Sequence, residues 1–201
     1  MSDKKNVPSD MRTDIMKATS RAIREHGYAD LTMDKIADEY DKCKSNLHYH
    51  YGTKENLMID FIDYLLQGFK EKIVPDTEDP LEKLNGLIDR MLFGINGGDI
   101  PERFHAVLLE VRSQAPYNER YKQKITDNDD FIHDKVTKII ETGIEKEKFR
   151  EVNPELTATL ILSTIDGARA RQISTERNVA QKAKESLDQA IEDLLLKEHQ
   201  E

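Results

Sequence analysis

The sequence predicts an all-α protein of about nine helices, and three observations carry that expectation. The 201 residues include only 9 Gly and 6 Pro, with no Trp, while Lys, Glu, Leu, Ile and Ala abound. That composition favours helix and argues against an all-β fold. Apolar residues recur at i, i+3 and i+4, the spacing of one helix face, and do not alternate as in strands. Gly, Pro, Asn and hydroxyl residues fall between the periodic segments, where helix ends and caps belong. The length fits one domain, or a small one joined to a larger one.

After a polar tail over residues 1–10, Ile15, Ala18, Thr19, Ala22 and Ile23 make the first helical stripe, and Gly27 is placed to end it in a left-handed conformation. Thr32 is placed to cap a short second helix, with Asp34 in its first turn and Met33, Ile36, Ala37 and Tyr40 as its buried side. Residues 41–43 interrupt, and a third short helix follows over about 44–50, anchored by Leu47. Gly52 breaks the chain and Thr53 caps a long helix bearing Leu57, Phe61, Ile62, Leu65, Leu66, Phe69 and Ile73, which Pro75 ends. Pro80 opens the next, with Leu81, Leu84, Leu87, Ile88, Met91 and Leu92 inward, up to the Asn96-Gly97-Gly98 turn. Pro101 opens another, with Phe104, Val107, Leu108 and Val111, closed by Pro116. Residues 117–147 form one long helix, with Asp127–Asp130 as the place where it would break. Two helices follow Pro154, over roughly 155–172 and 176–197.

Charge divides the chain. Net charge is −9, yet residues 1–54 hold ten Lys/Arg against nine Asp/Glu, a balance of +1, and the other 147 hold 20 against 30, a balance of −10. A nearly neutral first segment is compatible with a polyanionic partner if its basic groups share a face. No apolar run approaches the roughly 18 residues of a membrane span, and the start MSDKKNVPSD is polar, so neither span nor secretory signal is expected. The single cysteine, Cys43, excludes an internal disulfide framework and a Cys-rich zinc module. A cytoplasmic protein without cofactor or metal follows.

Residues 12–57 carry the functional signal. Two short helices joined by about three residues and braced by an earlier one make a helix-turn-helix, whose second member can enter the major groove. Leu47 turns inward, and Lys44, Ser45, Asn46, His48, Tyr49 and His50 supply hydrogen-bonding groups on the other faces. Lys54, in the first turn of the following helix, can hold a phosphate together with free backbone N–H groups. His48 and His50, at i and i+2, point apart and do not make a metal pair. Cys43 between Lys42 and Lys44 is either a structural thiol or a redox-sensitive one.

The stretch Thr32-Met-Asp-Lys-Ile-Ala-Asp-Glu-Tyr, followed by Lys44-Ser-Asn-Leu-His-Tyr-His-Tyr-Gly-Thr-Lys-Glu-Asn-Leu57, resembles the DNA-binding region of the tetracycline-repressor (TetR) family. Thr32, Ile36, Ala37, Leu47, Tyr51, Thr53, Lys54, Glu55 and Leu57 fall on the family's pattern. The turn departs from it: Tyr40-Asp41-Lys42-Cys43 stands where Ala-Gly-Val-Ser is usual, and His48 where an aromatic is common. Asp tolerates left-handed backbone angles, whereas a thiol is a poor helix cap. The motif covers about a quarter of the chain.

The resemblance implies an N-terminal three-helix DNA-binding domain (1–54) and a C-terminal helical ligand-binding and dimerisation domain (55–201). It implies a homodimer on a palindromic double-stranded operator, released when a small-molecule effector binds. Thr32, Tyr49, His50, Thr53 and Lys54 would hold phosphates, and Lys44, Ser45, Asn46 and His48 would face base edges. The last two helices would form the dimer interface through Ala158, Leu162, Ile165 and Ala168 on one and Leu187, Ala190, Ile191 and Leu194 on the other. The effector pocket would draw on Met91, Phe104, Leu108, Arg112, Tyr117, Tyr121 and Phe131, all of which could equally be core or surface. Arg112 falls on an apolar side with Leu108, so a salt bridge or an anionic ligand would partner it.

One constellation suggests a different class. Glu102-Arg-Phe-His105 and Asp130-Phe-Ile-His133 have the carboxylate-x-x-His spacing of di-metal helical-bundle enzymes. Acidic residues near helix starts are also expected for electrostatic reasons alone.

Overall fold

The structure, a computed structural model, describes residues 7–40, 44–94 and 102–196, less the side chains of Lys44, Glu102, Arg103, Phe104 and Val107. Asp41–Cys43, the Asn96-Gly97-Gly98 turn and Pro101 lie outside the described residues. Among the described residues there are nine α-helices and one short 3-10 helix. They are α1 (Ser9–His26), α2 (Met33–Asp38), α3 (Lys44–Tyr51), α4 (Lys54–Lys70), α5 (Pro80–Phe93), α6 (Glu102–Gln114), α7 (Glu119–Glu145), α8 (Pro154–Ser174) and α9 (Val179–Leu195), with the 3-10 turn at Ala115–Tyr117. The all-α expectation holds.

Capping explains most of the helix starts. Thr32 Oγ1 accepts from the Lys35 N–H at 3.2 Å, and Thr53 Oγ1 from that of Asn56 at 3.2 Å. Asp79 accepts from Leu81 and Glu82 ahead of α5, Asn153 from Leu156 ahead of α8, and Asn178 from Gln181 ahead of α9. Each satisfies N–H groups that the helix itself leaves unpaired.

Several ends differ from expectation. α1 already begins at Ser9, inside the stretch read as a tail. Gly27 has φ 72° but ψ 167°, so a positive φ is needed there without a left-handed helical residue. α4 stops at Lys70, and Ile73 is fully buried beyond it, in a turn before Pro75. Pro116 does not close α6 outright; it sits in the 3-10 turn that leads to α7. α7 runs unbroken for 27 residues through Asp127–Asp130, where the charged run is compatible with a solvent-facing side.

The chain packs as two units: residues up to Gly68 with Glu110–Lys124, and Phe69–Leu109 with Ile125 onward. Packing thus places α4 through Gly68 with the first unit. Leu57, Met58, Phe61 and Ile62 of α4 are buried, and Asp60 pairs with Arg12 of α1 at 3.1 Å. In the second unit, Leu84, Leu87, Ile88 and Met91 of α5 share one core with Ile132, Val136, Ile139 and Ile140 of α7, Ala158, Ile161, Ile165 and Ala168 of α8, and Leu187, Ile191 and Leu195 of α9. Phe149 plugs this core, and its N–H and that of Lys148 both reach the Gly143 carbonyl.

This core takes up part of the set expected to form an interface, while Leu187, Ala190, Ile191 and Leu194 of α9 also line a groove beside α8. Ala158, Ile165, Ala168, Leu187 and Ile191 are buried within the monomer, Leu162 packs against the same core, and Ala190 is half-buried. Only Leu194 of that set stands exposed, at 46%, together with Leu156 (69%) and Leu160 (51%). The physical reason is that α8 carries apolar residues on more than one side, so periodicity alone cannot choose which side faces the core.

Candidate nucleic-acid interface

α3 is the element the first unit presents. Leu47 is fully buried and pins the helix inward. Around it Ser45 and His48 are exposed, Tyr49 is 62% exposed, and Asn46 and His50 are half-buried. Lys44 begins the helix. The short helix thus shows solvent polar and aromatic groups of the chemistry that reads a groove. His48 Nε2 lies 3.8 Å from the Asp34 carboxylate of α2. The Tyr49 ring meets that of His50 edge-on at 5.1 Å. His50 Nδ1 is buried with no hydrogen-bond partner among the described residues.

Three side chains expected to hold phosphates also have structural duties. Thr32 and Thr53 spend their hydroxyls capping α2 and α4, yet both residues remain exposed. Lys54 is more committed. Its Nζ donates to the Tyr28 carbonyl at 2.9 Å and lies 4.6 Å from the centre of the Tyr28 ring. Burial pulls its pKa below the ordinary lysine value, against the opposing pull of Glu110 and Asp30. An ammonium has three donors, so one contact to Tyr28 leaves others for a phosphate.

α3 is held from behind by a second polar set that sequence reasoning missed. Tyr51, its last residue, donates from its hydroxyl to Asp60 at 2.7 Å. Arg12 of α1 meets Asp60 through Nε at 3.2 and 3.1 Å and through Nη2 at 3.1 Å. Burial, and then the bond to Asp60, push the Tyr51 phenol well above the usual tyrosine value. The partners lie 9 and 48 residues apart, and no local spacing signals the longer link.

The matched family models agree with this geometry. Residues 15–60 match the model described as bacterial regulatory proteins, tetR family. Residues 80–196 match the one described as BetI-type transcriptional repressor, C-terminal. The chain belongs to the TetR family. It is a DNA-binding transcriptional repressor of helix-turn-helix type.

Among solved structures, a TetR transcription regulator from Haloarcula marismortui ATCC 43049 is 37% identical, with a TM-score of 0.86 over 94% of this chain and 100% of that one. A transcriptional regulator from Saccharomonospora viridis, solved in complex with choline, shares the fold at 21% identity and a TM-score of 0.84, over 94% of this chain and 100% of its own. Among curated proteins, the HTH-type transcriptional repressor AcnR of Corynebacterium glutamicum is 25% identical over 167 residues, 82% of each chain.

The residues expected to line an effector pocket are dispersed. Met91 is buried, and Leu108 and Phe131 are half-buried, in the second unit; two ammoniums, of Lys70 and Lys135, lie 4.6 and 5.3 Å from the centre of the Phe131 ring. The Phe104 side chain lies outside the described residues. Arg112, Tyr117 and Tyr121 belong to the first unit. Arg112 is exposed, contrary to the apolar placement expected for it, because Val111 takes the inward position of that turn. Tyr117 is 88% exposed on the 3-10 turn. Tyr121 is buried, with its hydroxyl 3.3 Å from that of Tyr28.

The di-metal alternative finds no support. His133 Nε2 lies 3.2 Å from the Glu155 carbonyl and 3.1 Å from Thr159 Oγ1, with Nδ1 3.5 Å from Thr137 Oγ1. Both ring nitrogens are therefore occupied by protein groups. Among the described residues no group of three or more His, Cys, Asp and Glu could hold a metal ion.

Proposed function

We propose that the protein works as a cytoplasmic homodimer that grips a palindromic operator through a pair of α3 helices and lets go when a small molecule binds the second unit. Lys44, Ser45, Asn46 and His48 face base edges in this reading, while Thr32, Tyr49, His50, Thr53 and Lys54 hold phosphates. The observation that carries it is the α3 surface, where Ser45, His48 and Tyr49 face solvent while Leu47 and Tyr51 are buried. No helix among the described residues is long and apolar enough to cross a membrane, which suits a protein that works on DNA.

Dimerisation is assigned to the outward side of the α8–α9 pair. Leu160 and Leu194 border an apolar groove of about 110 Å³ with Thr157, Thr164 and Ala190, and Leu156 stands exposed nearby. Large exposed aliphatics on one face mark an interaction surface. A two-fold protein also matches a two-fold operator.

Selection of bound sequences from random duplexes tests the function. The expected product is a palindrome, and Asn46→Ala should change the preferred bases more than non-specific affinity. Capture without sequence preference at low salt would overturn the assignment. Sedimentation of Leu160→Lys tests the interface, with a monomer expected; an unchanged dimer would move the interface elsewhere.

A further inference from the structure

The first unit contains a segment from far along the chain, Glu110–Lys124, which includes the 3-10 turn and the first turns of α7. Its polar contacts converge on the DNA-binding helices. Asn118 caps α7 by accepting at Oδ1 from the Arg120 and Tyr121 N–H groups, at 3.0 and 3.2 Å. The amide nitrogen of the same side chain donates to Glu55 Oε1 at 2.8 Å. Arg120 Nη1 donates to Asn56 Oδ1 at 2.7 Å and lies 3.9 Å from Glu55. Asn56 in turn donates from Nδ2 to the carbonyl of Tyr51 at 3.0 Å, the last residue of α3. Beside this chain, the buried Tyr121 meets Tyr28, whose ring and carbonyl hold Lys54. Lys124 pairs with Asp63 of α4 at 2.9 Å.

We propose that the start of α7 is the positioning element of the DNA-reading helix: Asn118, Arg120 and Tyr121 clasp the first turn of α4 and the Tyr28 turn, and through Asn56 they fix the C-terminal end of α3. The inference rests on α3 being the reading helix and adds a role for residues that touch no DNA. The clasp is specific in kind. An exposed ion pair alone contributes little, but here one amide, Asn56, bridges Arg120 to the end of α3, and one phenol pair joins a buried ring to the turn that holds Lys54. α3 spans only Lys44–Tyr51 and leans on its neighbours for orientation, as helices that short do.

The test uses the full-length protein with Tyr121→Phe, Arg120→Ala and their combination, and with Tyr117→Ala on the exposed neighbouring turn as control. Hydrogen exchange is measured first, without DNA. Amides of Gly27–Leu31 and of the first turn of α4 should exchange about fivefold faster or more in the combined variant, while the core of α5 and α8 stays as protected as before. Unchanged exchange at those amides overturns the clasp, whatever the protein does with DNA. Operator binding is the second readout. The combined variant should lose about fivefold to tenfold in operator affinity relative to wild type, with non-specific affinity unchanged and discrimination against half-sites moved by one base pair relaxed. Asn56→Ala should reproduce the loss and add nothing to Arg120→Ala. Full additivity of those two, or an equal loss on operator and random DNA, overturns the proposal. Failure of wild type itself to prefer any sequence would count against the repressor function and not against the clasp.

Discussion

Replacing Asp60 should show how strongly the base of the recognition helix is held. Its carboxylate accepts the Tyr51 hydroxyl at 2.7 Å and the Arg12 guanidinium at 3.1 to 3.2 Å. Tyr51 is only 7% exposed, so without Asp60 its hydroxyl has little access to water. A hydrogen bond to a charged group contributes about 1.5–3 kcal/mol, and a buried donor left unpaired costs about 1–3 kcal/mol. The Arg12 side chain is 28% exposed and can turn to solvent, so its part is discounted. Asp60→Ala should then cost about 3 kcal/mol and Tyr51→Phe about 1.5 kcal/mol. The double variant should cost only about 1.5 kcal/mol, less than Asp60→Ala alone, because removing the hydroxyl removes the group that Asp60→Ala leaves stranded. Urea unfolding of all four proteins, at one protein concentration and with the slopes compared, measures the coupling. Single effects that add to within about 0.5 kcal/mol would refute the reasoning, since uncoupled residues behave that way.

Three further outcomes follow from the structure. A Cβ at Gly143 would lie inside contact distance of the buried Phe149 ring, so Gly143→Ala should destabilise by about 2 kcal/mol or more, and a thermal midpoint equal to wild type would contradict that packing. Burial, with Arg169 adding to it, pulls the His105 pKa down from 6.5 to about 3. Between those values the unfolded chain binds a proton that the folded one does not, so stability should fall as pH drops below about 6.5, by up to about 1.4 kcal/mol per pH unit. His105→Gln should flatten that slope between pH 6.5 and 5, and equal slopes in urea titrations would dismiss it. Lys54→Ala should weaken binding to all duplexes alike and lower the salt slope by about 1; a loss confined to one operator base, seen in binding titrations, would show a different role.

Much of the first unit was legible because its information is local. Thr32, Leu47 and Thr53 announce caps and an inward anchor within one or two helical turns, and the structure places all three in those roles. The second unit was less so. Ala158 and Ile165 looked like a surface for a partner and proved to be core, while Leu160, not singled out, is exposed. Tyr121 looked like a pocket residue, and Arg112 like a buried charge; one is tied to Tyr28 and the other faces solvent.

The residue order by itself determined which segments are helical, where most of them begin, and that one short helix carries a polar surface around a buried leucine. Those properties depend on groups a few residues apart, whose geometry the helix dictates. Tertiary structure alone decided which side of α8 is core, and that Asn118, Arg120 and Tyr121 meet residues 63 to 93 positions earlier. Such contacts are set by how packed helices bring distant turns together, and no spacing within a single helix encodes them.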